Sequence, residues 1–256
     1  FDIDGVIRDV GGSYRRALAD TVEQFTGGAY RPTVADIDVL KSEGLWNNDW
    51  EASRELVYRY YESIGQDRSQ QIVNYDEIVA FFQSRYRGTD PTNWTGYIRD
   101  EPLLVRSSYL DALTEAAIGW GFFSGATRGS ANYVLEKRLG LHAPLLVAME
   151  DAPGKPDPTG LFDVVKRFEA IVAFRSGIAP VLYAGDTVAD MQTVLNARSI
   201  QPDRSWIGVG ILPPHAQNSP DYETAYTKTL IEAGAAIVLE NIEQLTPTQI
   251  EALVNA

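Results

Sequence analysis

The sequence predicts an α/β protein: a parallel β-sheet with helices on both faces, and an all-helical segment placed ahead of most of it. Three observations carry this. From Tyr97 onward, short apolar runs alternate with amphipathic helical stretches, as in a parallel sheet buried on both sides. Between Ser13 and Arg87 the apolar residues recur instead at helical spacing. The first seven residues, Phe1-Asp2-Ile3-Asp4-Gly5-Val6-Ile7, read as an apolar strand fragment that carries two carboxylates and then turns at a glycine. Because strands take about 5 residues, further residues are expected upstream of Phe1.

With 256 residues the chain can bury a full core and accommodate an inserted module. A formal net charge of −13 argues against a general nucleic-acid or membrane-surface binder, both of which need basic patches. The absence of cysteine removes disulfides, thiol catalysis and thiolate metal sites, so any metal is expected to be a hard ion held by oxygen. No apolar run approaches the roughly 18 residues of a membrane span, and a cytoplasmic address is expected.

In chain order, Asp2 and Asp4 come first. Residues i and i+2 of a strand point the same way, so the pair is expected together at the strand's end, where like charges favour a bound cation or a shared proton. Calcium loops and solvated turns use the same Asp-x-Asp. Ser13 then reads as an N-cap for a helix with Tyr14, Ala17, Leu18, Val22 and Phe25 on its apolar face, ended by Gly27-Gly28. Thr33 with Asp36 is a capping-box variant opening a second helix, which stops near Gly44. The loop from Gly44 to Trp50 is dense in stacking and hydrogen-bonding groups (Trp46, Asn47, Asn48), as small-molecule recognition requires; the plainer reading has Asp49 capping the next helix while Trp46 and Trp50 pack. Helices follow over Glu51 to Ile64 and Tyr75 to Arg87, with Tyr58, Tyr61, Phe81 and Phe82 as core, and Gly88 to Gly96 is a linker.

The alternating region reads as helix Ser108 to Ala117 and apolar run Ile118 to Phe123; helix Ser130 to Leu139 and run Leu145 to Ala148; helix Thr159 to Ala170 and run Val181 to Ala184; helix Val188 to Ala197 and run Trp206 to Val209; helix Glu223 to Ala233 and run Ala236 to Leu239. Residues just after such strands gather at the sheet's carboxyl edge, where α/β proteins bind ligands. There the chain places Ser124-Gly125-Ala126, a hydroxyl followed by amides suited to an anion. It also places Gly154-Lys155-Pro156-Asp157-Pro158, and Gly185-Asp186-Thr187-Val188-Ala189-Asp190. Each admits a structural role: Ser124 as an N-cap, Lys155 as a loop charge, Asp186 and Asp190 as helix-start acids. Their ordered occurrence at successive strand ends points to one site.

In this ordered set the chain resembles the haloacid dehalogenase-like superfamily, and within it the phosphatases whose helical cap is inserted directly after the first strand. The motifs are Asp2-Ile3-Asp4-Gly5-Val6, Ser124 after an apolar strand, Lys155-Pro156, and Gly185 to Asp190. The resemblance implies a Rossmann-like core of about residues 1–10 and 98–256, a helical cap of about 11–97, and a Mg²⁺ ion. It further implies that Asp2 is the nucleophile, forming an aspartyl phosphate, and that Asp4 is the general acid and base. Ser124 and Gly125 would hold the phosphoryl oxygens and Lys155 would neutralise charge. Asp2, Asp186 and the main-chain carbonyl of Asp4 would bind the metal, with Asp190 as ligand or orienter. The presence of Asp4 favours phosphoryl transfer over dehalogenation, and Lys41, the only lysine of the implied cap, shows no feature of a Schiff-base residue. The expected partner is a small phosphorylated metabolite such as a sugar phosphate. Arg8, Arg15, Arg128 and the Trp46 to Trp50 loop could contact its leaving group; Arg8 could instead pair at the hinge and Arg128 cap a helix. A phosphosugar mutase shares every core motif, and a non-catalytic phospholigand-binding or regulatory module is the reading from another class.

Overall fold

The computed structural model describes residues 1–43, 45, 46, 48–171 and 178–256. The chain divides into two compact units, Phe1–Asp9 with Pro102–Ala256, and Val10–Glu101. The division falls at residues 9/10 and 101/102, where the expectation above has 10/11 and 97/98.

Among the described residues, the Val10–Glu101 unit holds four α-helices: α1 (Tyr14–Phe25), α2 (Val34–Ser42), α3 (Asp49–Ser63) and α4 (Tyr75–Tyr86). Its core is the apolar face expected of α1 packed on α3 and α4, with Leu18, Val22, Val57, Ile78 and Phe82 all sealed from solvent. Tyr14 stacks on Tyr86 with ring centroids 4.2 Å apart. Gly27 and Gly28 end α1 with positive φ, and Gly28 N donates to Glu23 O over 2.8 Å, satisfying a terminal carbonyl. The Thr33–Asp36 capping box is complete in both directions. Two caps differ from expectation. The Ser13 hydroxyl donates to Val10 O and to the buried Glu101 carboxylate rather than to the helix, because its backbone is already in a helical conformation (φ −119°, ψ −71°) and not in the extended one a cap needs. Asn48, extended at φ −81° and ψ 116°, caps α3 through Oδ1, accepting from Trp50 N and Glu51 N. Asp49 lies one residue inside the helix and pairs with Lys41 at 2.7 Å.

In the larger unit the pairings among the described strands are parallel. Strand β1 (Phe122–Phe123) pairs with β2 (Leu146–Val147), and β3 (Val181–Gly185) pairs with β4 (Trp206–Ile211), which pairs with β5 (Ala235–Leu239). The amino-terminal residues join the two groups. Phe123 N donates to Phe1 O (3.0 Å) and Asp2 N donates to Ala184 O (2.8 Å), so Phe1–Asp2 lies between β1 and β3. Counting that segment as the first strand, the spatial order is 3-2-1-4-5-6, the doubly wound arrangement whose direction reverses at this segment. Extended structure there is shorter than expected. After Asp2 the chain turns: Ile7 N donates to Ile3 O and Gly5 N to Arg8 O, so Asp4 is in a loop and not a strand neighbour of Asp2.

Helices cover both faces, as the alternation of adjacent strand residues dictates. Phe122 packs with Phe1, which also touches Tyr109 of α5 (Ser107–Glu115). Phe123, pointing the other way, joins a core with Leu161 and Val164 of α7 (Thr159–Ile171), Val194 of α8 (Val188–Ile200), Tyr183 and Trp206. Leu230 of α9 (Pro220–Glu232) packs with Met191 and Ala235 at the sheet's other end. Between β1 and β2 the expected single helix is a short α6 (Arg128–Asn132) continued as a π-helical turn over Tyr133–Arg138. The fold closes with α10 (Pro247–Val254). Among the described residues no helix is long and apolar enough to cross a membrane.

Leu18→Ala empties a sealed position in the helical unit, and a Leu-to-Ala change of this kind costs about 2–5 kcal/mol. The expected outcome is a lower urea midpoint for the transition of that unit, measured by circular dichroism.

Candidate active site

The candidate residues meet at the carboxyl ends of β1, β3 and the Phe1–Asp2 segment, and the centre of the cluster is Lys155. Its Nζ lies 2.9 Å from Asp2 Oδ1 and 2.6 Å from Asp190 Oδ1. The rings of Phe123 and Tyr183 flank the ammonium, with centroids 5.5 and 5.4 Å from Nζ, close enough for a cation–π contribution. Tyr183 is itself held by a 2.7 Å hydrogen bond from its hydroxyl to Phe123 O. Burial opposes the lysine's charge, but Asp190 and Asp2 outweigh it and hold its pKa well above the ordinary value.

Asp2 is 6% exposed. Burial is the main reason its carboxyl is pushed up to about 6; Lys155 pulls the other way, while Asp190 and Asp4 add to the rise. Its Oδ1 accepts no hydrogen bond, the contact with Lys155 being ionic without hydrogen-bond alignment. Asp186 is raised as well, first through enclosure by protein and then through Asp190 and Asp2. One carboxylate oxygen from each of Asp2, Asp186 and Asp190 falls within 4.8 Å of the others. An orphaned buried oxygen and an all-carboxylate donor set fit a hard divalent cation such as Mg²⁺.

Two glycines make this crowding possible. Gly5 has φ +74°, and a Cβ there would come within 2.0 Å of Asp186 Oδ2. At Gly185 a Cβ would meet Asp190 Cγ at 2.3 Å. Asp190 is wholly buried because α8 begins with a capping box: Thr187 N and Oγ1 donate to Asp190 Oδ2, while Asp190 N donates to Thr187 Oγ1. Both Asp190 oxygens thus have partners, one in the cap and one in Lys155. That marks it more as an orienter than as an open ligand.

Ser124 is buried, and its Oγ accepts from Ala126 N at 3.2 Å, which leaves its O–H to donate. Gly125 is exposed beside it. Asp4 is 28% exposed and bonded through Oδ1 to Arg8. Arg128 is not drawn into the cluster: its amide donates to Glu150 and its guanidinium pairs with Asp151. Trp46 and Asn48 belong to the helical unit, where Trp46 Nε1 donates to Glu43 (2.8 Å) and Asn48 caps α3. Asn47, like Gly44, lies outside the described residues.

Three contributors are additional to the expected set. Thr187 was readable, since Thr-x-x-Asp is a capping-box spacing. Tyr183 is an ordinary strand residue in the sequence. Tyr226, whose hydroxyl donates to Asp186 O over 2.9 Å, comes from forty residues away. Arg8, expected either at the leaving group or in a pair at the hinge, is paired with Asp4.

Removing Lys155 strands two buried carboxylates. Lys155→Met is expected to destabilise the larger unit by about 3–5 kcal/mol, the cost of breaking a buried ion pair by deleting one partner. The measurement is urea denaturation without divalent cations; an unchanged midpoint would show that the ammonium does not compensate Asp2 and Asp190.

The chain is 27% identical over 243 residues to a Phytophthora nicotianae protein named imidazoleglycerol-phosphate dehydratase, covering 93% of this chain and 49% of that protein. The chain therefore spans about half the length of that curated relative. A haloacid dehalogenase family hydrolase of Deinococcus radiodurans R1, solved with bound phosphate and sodium, superposes with a TM-score of 0.62 at 16% identity, covering 99% of this chain and 95% of that one. A provisionally described phosphoglycolate phosphatase of Lactobacillus delbrueckii subsp. bulgaricus gives 0.61 at 15% identity, covering 100% and 97%. At such identities the two structures share the fold alone. The family model for haloacid dehalogenase-like hydrolases matches residues 1–198, and the chain belongs to that family.

Proposed function

We propose that the protein is a Mg²⁺-dependent phosphatase that hydrolyses a small phosphomonoester through an aspartyl phosphate on Asp2. The observation that carries this reading is the buried Asp2 carboxylate, with an oxygen that accepts no hydrogen bond, set between the Lys155 ammonium and the Asp186 carboxylate. A nucleophile must keep a lone pair unengaged, and a carboxylate facing a phosphate needs cations beside it. The Deinococcus relative, solved with phosphate, lends support to a phosphate cleft in this fold.

In this reading Asp2 attacks phosphorus as the ester oxygen departs, and Asp4 gives that oxygen its proton. Asp4 then takes a proton from water as the water oxygen attacks the phosphorus of the aspartyl phosphate, releasing inorganic phosphate and restoring Asp2. Ser124 Oγ–H and the Gly125 amide hold phosphoryl oxygens, and Lys155 keeps Asp2 ionised and offsets charge on the phosphoryl group. Mg²⁺, held by Asp2 and Asp186 with Asp190 oriented beside them, supplies electrostatic stabilisation of that group when bound. Residues 10–101 serve as the cap, and the Trp46 to Asn48 loop reads the leaving group.

The test is release of phosphate from a panel of phosphorylated metabolites, sugar phosphates first and imidazoleglycerol phosphate included because the half-matching relative is named for it. Activity is expected to require Mg²⁺ and to fall about 10³-fold or more in Asp2→Asn. No Mg²⁺-dependent release, with Asp2→Asn indistinguishable from wild type, would sink the reading. Interconversion of sugar phosphates without net release would identify a mutase instead.

Substrate reading by the loop is tested separately. Trp46→Ala and Asn47→Ala are expected to raise KM several-fold or flatten preference across the panel while circular dichroism is unchanged. Kinetics identical to wild type would leave both residues structural.

A further inference from the structure

Among the described residues Arg8 is the largest charged side chain with no solvent exposure, and its guanidinium contacts Asp4. From this we infer that Arg8 is a positioning residue for Asp4: it fixes Oδ1 so that Oδ2 is the oxygen that gives and takes the leaving-group proton. The inference rests on the phosphatase reading and adds a residue to it.

The contact is specific. Arg8 Nε donates to Asp4 Oδ1 at 2.7 Å and a second guanidinium nitrogen reaches the same oxygen at 2.6 Å. Both contacts fall on Oδ1, and charge-assisted contacts of this kind are the strong ones. The frame behind the guanidinium is rigid. Ile3, Val6 and Ile7 are sealed from solvent, and the turn closes on itself through Ile7 N to Ile3 O (2.8 Å) and Gly5 N to Arg8 O (2.9 Å). The returning chain then clamps it, with Leu104 N donating to Ile7 O (2.8 Å) and Asp9 N to Pro102 O (2.9 Å). Arg8 and Asp4 are therefore held side by side by backbone as well as by charge.

Proton transfer needs the acid within hydrogen-bond reach of the departing oxygen, and a misplacement of 1 Å costs about 10²-fold. Asp4 retains 28% exposure and Arg8 none, so the proton enters and leaves through Asp4, while the arginine stays charged throughout.

The experiment compares kcat/KM for an alkyl ester, glycerol phosphate, with that for 4-nitrophenyl phosphate, whose leaving group departs without a proton. In Arg8→Gln the alkyl ester is expected to lose about 100-fold and the aryl ester less than about 10-fold, with KM nearly constant. Arg8→Lys, which offers one ammonium in place of the fork, is expected to recover part of the loss. In an Asp4→Asn background, Arg8→Gln is expected to add no further loss. Equal losses on both esters, or full additivity with Asp4→Asn, would overturn the assignment. If Arg8→Gln does not fold by circular dichroism, the same alkyl-to-aryl ratio is read in Arg8→Lys, with the same two outcomes. Absence of Mg²⁺-dependent release by the wild type overturns the phosphatase reading and this inference with it, and is distinguished from an active wild type whose Arg8 variants are unselective.

Discussion

The site depends on one interaction: the Lys155 ammonium held between the carboxylates of Asp2 and Asp190. These three residues come from the start, middle and later part of the chain. Each arrives by a different route, Asp2 on the segment that joins the two strand groups, Asp190 inside a helix cap, and Lys155 on a loop. Such an ion triplet is poor value for stability, because desolvation of the charges roughly cancels their attraction. The raised pKa values of Asp2, within the triplet, and of Asp186, beside it, say the same thing in electrostatic terms: both sit where an anion is disfavoured by burial. A site arranged this way is poised to gain from any added positive charge.

Much of this was legible in the sequence, and the reason is the parallel sheet. Strands of that kind show as continuous apolar runs, and residues following them collect at one edge, so Ser124, Lys155, Asp186 and Asp190 could be placed together without coordinates. The illegible parts depended on geometry that short-range spacing does not encode. Asp2 and Asp4 look like strand neighbours, yet three amides, those of Val6, Ile7 and Arg8, converge on the Ile3 carbonyl and bend the chain away. Tyr226 reaches Asp186 from α9, and nothing around it in sequence marks it. Gly5 reads as a turn residue, but its tighter requirement is that Asp186 occupies the space a side chain would take.

The helical unit illustrates the opposite case. Its helices and the Thr33 capping box follow from spacing, while the loop after α2 offered two readings that the structure combines differently. Asn48 spends its side chain on the α3 cap, and Trp46 donates its indole N–H to Glu43. Glu43 in turn pairs with Arg59, which also holds the buried Glu55. For Trp46, with its N–H engaged, the faces of the indole ring are what remain. Recognition by Trp46 would be through its ring faces more than through hydrogen bonds.

Asp2 and Asp4 begin as the same residue type two positions apart, and their surroundings separate them. Asp2 is enclosed beside an ammonium that meets Oδ1 without hydrogen-bond alignment, which in the proposed reaction leaves a lone pair for attack. Asp4 remains partly exposed, and the Arg8 fork takes its Oδ1 with two short contacts, which leaves the other oxygen for a proton. Two carboxylates given different cations, different burial and different hydrogen bonding can take the different roles, nucleophile and acid, that the proposed reaction needs. The turn at Gly5 is what makes the separation possible: it lets the chain reverse within four residues, so that Arg8 returns to Asp4 while Asp2 stays in the sheet.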